Sequence, residues 1–204
     1  MPSQPESYIR LLVAMILVAF AMPTVNTLAT EPSFDCAKAS GSVEEMICQD
    51  EQLAELDSKL AEVYTAAARK ATNEHPPVLK AEQRGWIKGR NDCWKSDDPR
   101  ACTETEYRHR IAELQARYRL VPEKGPFWFA CDDNASSEVV VTFFETDPPT
   151  LIAERGDGVS FMIQQPSGSG AKYQGRNETF WEHQGEATIV WGYDAPEMRC
   201  TRKP

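Results

Sequence analysis

Histidine is scarce in this chain. Three occur in 204 residues, at His75, His109 and His183, and they lie far apart. No Cys-x-x-Cys pair accompanies them, so a zinc site is not expected. Gly-x-Ser-x-Gly is missing, which removes the nucleophile elbow of the α/β hydrolases. There is no phosphate loop and no dinucleotide fingerprint, and no cofactor is expected. Basic charge is in short supply: 22 Lys and Arg face 31 Asp and Glu, a net charge of −9. Nucleic acid would meet repulsion rather than release counterions, so it is excluded as a partner. A long apolar run is also missing. "LLVAMILVAFAM", Leu11 to Met22, is an unbroken run of twelve, whereas a bilayer span needs about 20 residues.

What the apolar run does fit is a secretory signal peptide. Arg10 precedes it, and "TLA" at Thr27 to Ala29 offers the small residues that a signal peptidase reads. Residues 1–29 are therefore expected to be removed, giving a periplasmic or secreted protein with no stable membrane insertion after cleavage. No cysteine stands just after the run to carry a lipid, since Cys36 in "PSFDC" lies too far on. Export predicts an oxidising compartment, and six cysteines agree with that. Their order suggests the pairs Cys36–Cys48, Cys93–Cys102 and Cys131–Cys200, although spacing alone leaves other pairings open.

The period of the apolar residues changes part-way along the chain. Through residues 30–120 it is helical. "SVEE" at Ser42 to Glu45 has the form of a capping box and opens a short helix. Leu53, Leu56, Leu60, Val63, Tyr64 and Ala67 then recur at three- and four-residue steps. Pro76-Pro77 breaks the chain, Leu79, Trp86 and Cys93 follow at heptad spacing, and Tyr107, Ile111, Leu114 and Tyr118 mark a last helix. These aromatics sit at core spacing and do not form a cofactor box. "VPEKGP", residues 121–126, reads as a linker.

From 127 to 204 the period is two. Eight short apolar stretches are separated by Asp, Pro, Gly and Asn clusters such as "TDPP", "RGDG" and "PSGSG", which is the signature of a small antiparallel barrel or sandwich. Closure would remove exposed edges, and Cys131 and Cys200 on the first and last strands would staple the seam. The expected fold is α+β with two domains: a disulfide-linked small helical bundle followed by an eight-stranded antiparallel β-barrel. Acidity is concentrated in the second half, where residues 125–204 carry 6 Lys and Arg against 12 Asp and Glu. Such a surface would steer a strongly basic protein toward it, or it would simply keep the chain soluble. Glu178 and Glu182 are a candidate carboxylate pair of the kind a glycosidase uses; acidic residues flanking a strand are more commonly a solvated face.

Two resemblances follow from quoted stretches. The early "FAC" cysteine, "SGSGAKY", the "FW" before a glycine turn, "GEATIVW" and a C-terminal cysteine resemble the membrane-bound and periplasmic inhibitors of c-type lysozyme (MliC/PliC-like), over residues 128–200. "SFDC", "EEMIC", "LAELDSKLAEVY", "LKAEQRGWIKGRNDC" and "CTETEYRHRIAEL" resemble the LprI-like N-terminal domain. These resemblances imply a non-enzymatic, exported inhibitor whose partner is c-type lysozyme. Lysozyme works with two carboxyl groups in a deep cleft, one protonated and one ionised. A slim loop with a hydroxyl donor would plug that cleft. The family's serine falls on Ser169, with Ser167 as the fallback, and Tyr173 either packs beneath the loop or touches the partner. The family's second contact, a lysine before the turn glycine, is replaced here by Gln184, and the turn reads one residue longer. Gln184 still donates but carries no charge; His183 brings charge only once protonated, and Lys172 is the other nearby cation. The alternative is a non-enzymatic envelope module that binds another basic protein or a peptidoglycan enzyme.

Overall fold

The computed structural model describes residues 31–73, 77–132 and 134–204, with backbone alone for 134–136. The expected signal peptide and Pro76 lie outside these residues. Four helices come first: α1 (Ser42–Gln49), α2 (Glu51–Lys70), α3 (Val78–Asn91) and α4 (Pro99–Arg117). Eight strands follow: β1 (Glu123–Cys131), β2 (Asn134–Phe144), β3 (Thr150–Arg155), β4 (Gly158–Gln165), β5 (Ala171–Gln174), β6 (Glu178–His183), β7 (Glu186–Trp191) and β8 (Glu197–Arg202).

Two of the helix starts are set by aspartates that satisfy orphan amide groups. Asp50 accepts from Leu53 N at 3.1 Å to open α2, and Asp98 accepts from Ala101 N at 2.9 Å to open α4. At α1 the expected capping box is displaced by one residue. Gly41 is the cap, and Glu44 rather than Glu45 reaches back, to Ser40 N at 3.0 Å. The helical core gathers Val43, Ile47, Leu53, Leu60, Val63, Leu79, Tyr107, Ile111 and Leu114. Cys36 is bonded to Cys48, and Cys93 to Cys102. Within this core runs a buried polar chain. Ser33 N and Oγ donate to Asp57 Oδ2 at 2.6 Å each, Tyr107 Oη donates to Asp57 Oδ1 at 2.7 Å, and Arg90 Nη1 donates to Tyr107 Oη at 2.6 Å. The Arg90 guanidinium also lies 5.5 Å from the ring centres of both Trp86 and Tyr107, so a charge that would be costly alone is paired and stacked.

The strands pair in sequence order, all antiparallel, and β8 returns to β1 to close a barrel. Cys131 and Cys200 face each other across that seam and are bonded. Alternation turns Phe129, Val139, Val141, Leu151, Met162, Tyr173, Phe180, Ile189 and Met198 inward. The aromatic members meet edge to face, Phe129 with Phe180 at 5.3 Å and Phe143 with Tyr173 at 5.6 Å, as ring quadrupoles favour. β1 starts at Glu123, inside the stretch read as a linker. Glu123 and Lys124 pair with Phe144 and Phe143 before a register shift across Gly125 and Pro126. Helix α4 lies against the barrel through Arg117 over Phe161 and Arg108 Nη1 to Asp147 Oδ2 at 3.1 Å, and just beyond the helix Arg119 lies over Phe144.

Candidate functional site

The β4–β5 connection, residues 166–170, is exposed throughout. Its internal hydrogen bonds decide which groups remain free. Ser167 Oγ donates to Ser169 O at 2.6 Å, and Trp181 Nε1 donates to the same carbonyl at 3.0 Å. Ser169 O is thus held by two donors, one from the loop and one from β6. The Ser167 hydroxyl is engaged inside the loop, whereas the Ser169 hydroxyl has no partner among the described residues.

Gly170 fixes how the loop meets the sheet. Its φ is +65°, and a Cβ there would stand 2.2 Å from Glu182 O and 3.1 Å from His183 Cβ. Only a glycine allows both the left-handed backbone and so close an approach. Trp181 sits opposite Lys172 in the β5–β6 pairing, with Lys172 Nζ 5.8 Å from its ring centre.

The β6–β7 turn lies at the same barrel end as the loop, because Gly170 abuts Glu182 and His183. His183 pairs with Glu186, so only Gln184 and Gly185 lie outside the ladder. Their φ values, +56° and +88°, make a two-residue turn of the type I′ kind. The turn is therefore a tight one. Glu182 Oε1 accepts from Gly185 N at 2.7 Å, and Gly185 O accepts from Arg202 N at 2.8 Å. This double latch holds Gln184 at the tip, exposed, with His183 exposed beside it.

Tyr173 is placed differently from its neighbours. It is 6% exposed, packed among Phe143 and Phe180 beneath the loop. Burial, with the Glu182 charge adding, pushes its phenol pKa above the ordinary value. The loop end of the barrel thus brings together Ser169, Lys172, His183 and Gln184, while the Ser167 hydroxyl is engaged within the loop and Tyr173 faces inward beneath it. Trp181 entered the sequence reading only within the "FW" motif and Glu182 only as half of a candidate carboxylate pair; Trp181 as the donor that anchors Ser169 O and Glu182 as the latch of the turn were not read there. The outward position of Trp181, out of phase with Phe180, was the available signal.

Glu178 and Glu182 do not form a hydrolytic pair. Four residues along a strand separate them by about 13 Å, and glycosidases need their carboxyls roughly 5–9.5 Å apart. Each is also engaged where it stands: Glu178 Oε2 accepts from Ser160 Oγ at 2.9 Å, and Glu182 Oε1 from Gly185 N. All six cysteines are in disulfides, which leaves no thiolate for a metal.

Residues 36–114 match the family described as lysozyme inhibitor LprI, and residues 129–198 match the membrane-bound lysozyme inhibitors of c-type lysozyme, MliC. Lipoprotein LprI of Mycobacterium bovis is 30% identical over 183 residues, which cover 88% of this chain and 91% of that protein. The lipoprotein LprI sequences of two Mycobacterium tuberculosis strains match to the same extent. The chain belongs to the LprI family of lysozyme inhibitors. Its helical part corresponds to the LprI unit and its barrel to the MliC unit, in that order. The barrel match spans both the Ser167–Gly170 loop and the Gln184 turn. No helix among the described residues is long and apolar enough to cross a membrane.

Proposed function

We propose that this LprI-family protein is exported, acts in the periplasm or outside the cell, and inhibits c-type lysozyme by inserting the Ser167–Gly170 loop into the enzyme's sugar cleft. Ser169 Oγ donates to a cleft carboxyl, and Lys172 supplies a cation at the base of the loop. Gln184, with His183 beside it, makes the second contact in place of the family's lysine. The observation that carries this reading is the division of labour within the loop. The carbonyl of Ser169 and the hydroxyl of Ser167 are engaged, leaving the Ser169 hydroxyl as the free donor on a slim, anchored finger. A finger that is ordered before it binds loses less entropy on association. The protein performs no reaction of its own.

The test is a titration of c-type lysozyme activity with the mature chain. Inhibition should saturate at one-to-one. Ser169→Ala removes a hydrogen bond to a charged group, a loss of about 1.5–3 kcal/mol, and should weaken inhibition roughly 10- to 150-fold. Ser169→Tyr should abolish it. A flat titration at excess wild-type protein would remove the c-type reading. The neutral Gln184 at the turn tip supports a second one, an envelope module for a different basic protein or peptidoglycan enzyme. Capture of such a partner, with no lysozyme bound, would favour it.

A further inference from the structure

The outer face of β6, β7 and β8 carries a groove of about 530 Å³, lined by Asp132, Trp181, His183, Glu186, Thr188 and Arg199. Strand register explains the arrangement. Trp181, Thr188 and Arg199 form one outward row across three strands, and His183 and Glu186 stand in the next. Trp181 is 44% exposed, and its indole edge is fixed by the hydrogen bond to Ser169 O. Glu186 and Arg199 have opposite charges and share the groove, yet they form no ion pair. The side chains of His183, Thr188, Glu186 and Arg199 have no hydrogen-bond partner among the described residues. The groove therefore offers a fixed aromatic face flanked by unengaged donors and acceptors of both kinds.

That chemistry is selective. A polyanion would meet Asp132 and Glu186 beside the one arginine. A lipid or apolar peptide would find one aromatic ring among polar groups, where apolar sites need a mostly apolar lining. A pyranose ring fits both demands, because it has an apolar face to lie on an indole and a rim of hydroxyls to hydrogen-bond. The volume falls within the roughly 300–1,000 Å³ of ordinary ligand sites. We infer that this groove binds a glycan chain, with Trp181 stacking on one sugar ring and Glu186, Thr188 and Arg199 bonding its hydroxyl or acetamido groups. The inference goes beyond lysozyme inhibition and does not depend on the Ser169 side chain.

The mature protein is titrated with chitotetraose and, separately, with maltotetraose. The readout is the Trp181 indole N–H resonance, assigned by its loss in Trp181→Phe. A saturable shift with either sugar is expected, and a response to chitotetraose alone shows that the acetamido group is read. Arg199→Ala and Glu186→Ala should each weaken sugar binding roughly tenfold, the loss of one charge-assisted bond, and leave lysozyme inhibition unchanged. Ser169→Tyr should do the reverse. Absence of a saturable shift with both sugars overturns the inference. So does unaltered sugar affinity in Arg199→Ala and Glu186→Ala, since both side chains are exposed and their loss does not disturb the core.

Discussion

Two glycines two residues apart separate a rigid-finger account of inhibition from a flexible one. In Gly170→Ala the new methyl would stand 2.2 Å from Glu182 O, at a φ of +65°. The left-handed backbone costs an alanine about 1–2 kcal/mol. The methyl can reach ordinary contact only if the loop moves off β6 by about 1 Å. That movement stretches the Trp181 Nε1 to Ser169 O bond from its present 3.0 Å to a length at which it no longer holds. A lost neutral hydrogen bond adds about 1 kcal/mol. Together the terms come to about 2–3 kcal/mol, or roughly a 30- to 150-fold weaker inhibition. Gly168→Ala is the control. It has nothing within 4 Å of the new methyl and no left-handed backbone, so its effect should stay within a few-fold. Both variants are measured by lysozyme inhibition, with urea unfolding alongside to confirm an intact barrel. Wild-type inhibition by Gly170→Ala, or an equal loss in Gly168→Ala, would refute the argument that the loop must be held against β6.

Three further outcomes follow from the rest of the structure. The Cys131–Cys200 bond spans 69 residues, and replacing both cysteines by alanine should destabilise the barrel by about 4 kcal/mol in the chain-entropy picture, read as a lower urea midpoint. Tyr107→Phe removes the hydroxyl between Asp57 and Arg90 and should cost about 1–3 kcal/mol, because two buried charged groups each lose a partner; an unchanged urea midpoint would contradict the network's role. Acid should weaken the fold. The Ser40 amide lowers the pKa of Glu44, Arg100 that of Asp50 and Arg108 that of Glu104, each below its ordinary value. A carboxylate with a depressed folded pKa contributes stability above its unfolded value, near pH 4, and loses it as the pH falls through the folded one. Arg100→Ala should flatten that acid limb in a pH series of urea midpoints, and a limb of unchanged slope would count against the Asp50–Arg100 pair.

All eight strands were legible because their alternation is interrupted by prolines, glycines and acid clusters that cannot continue a ladder. Where the sequence misled, a local feature hid the pairing. Glu123 and Lys124 are charged and precede Gly125-Pro126, yet they pair with Phe144 and Phe143 across a register shift. The cap was misplaced because Ser42 and Glu45 stand at capping-box spacing, and only backbone geometry shows that Gly41 takes the cap while Glu44 bonds Ser40 N. The site was legible as a region and not as a set of roles. Ser167 and Ser169 are chemically alike, and which one keeps a free hydroxyl depends on the direction the loop carbonyl faces. The tightness of the β6–β7 turn was not legible, because nothing in "HQG" announces that Gln184 adopts a positive φ.

The charge distribution suits this protein to attract at long range and to discriminate at short range. The second half carries twice as many acidic as basic side chains, so a strongly basic partner is drawn to it from beyond contact. That attraction acts through a Debye length of about 8 Å at physiological salt and says nothing about where the partner lands. In the proposed inhibition, placement depends on the loop end, where a free hydroxyl and the Lys172 ammonium offer donors to carboxyls within an otherwise acidic half. Replacing the turn lysine by Gln184 removes one of these local cations and keeps a donor. Under the proposed mechanism the change acts on the grip rather than on the approach, and it shifts more of the recognition to Ser169. In that proposal Gly170 and the Trp181 hydrogen bond, which position this serine, consequently matter more than they would beside a second ammonium.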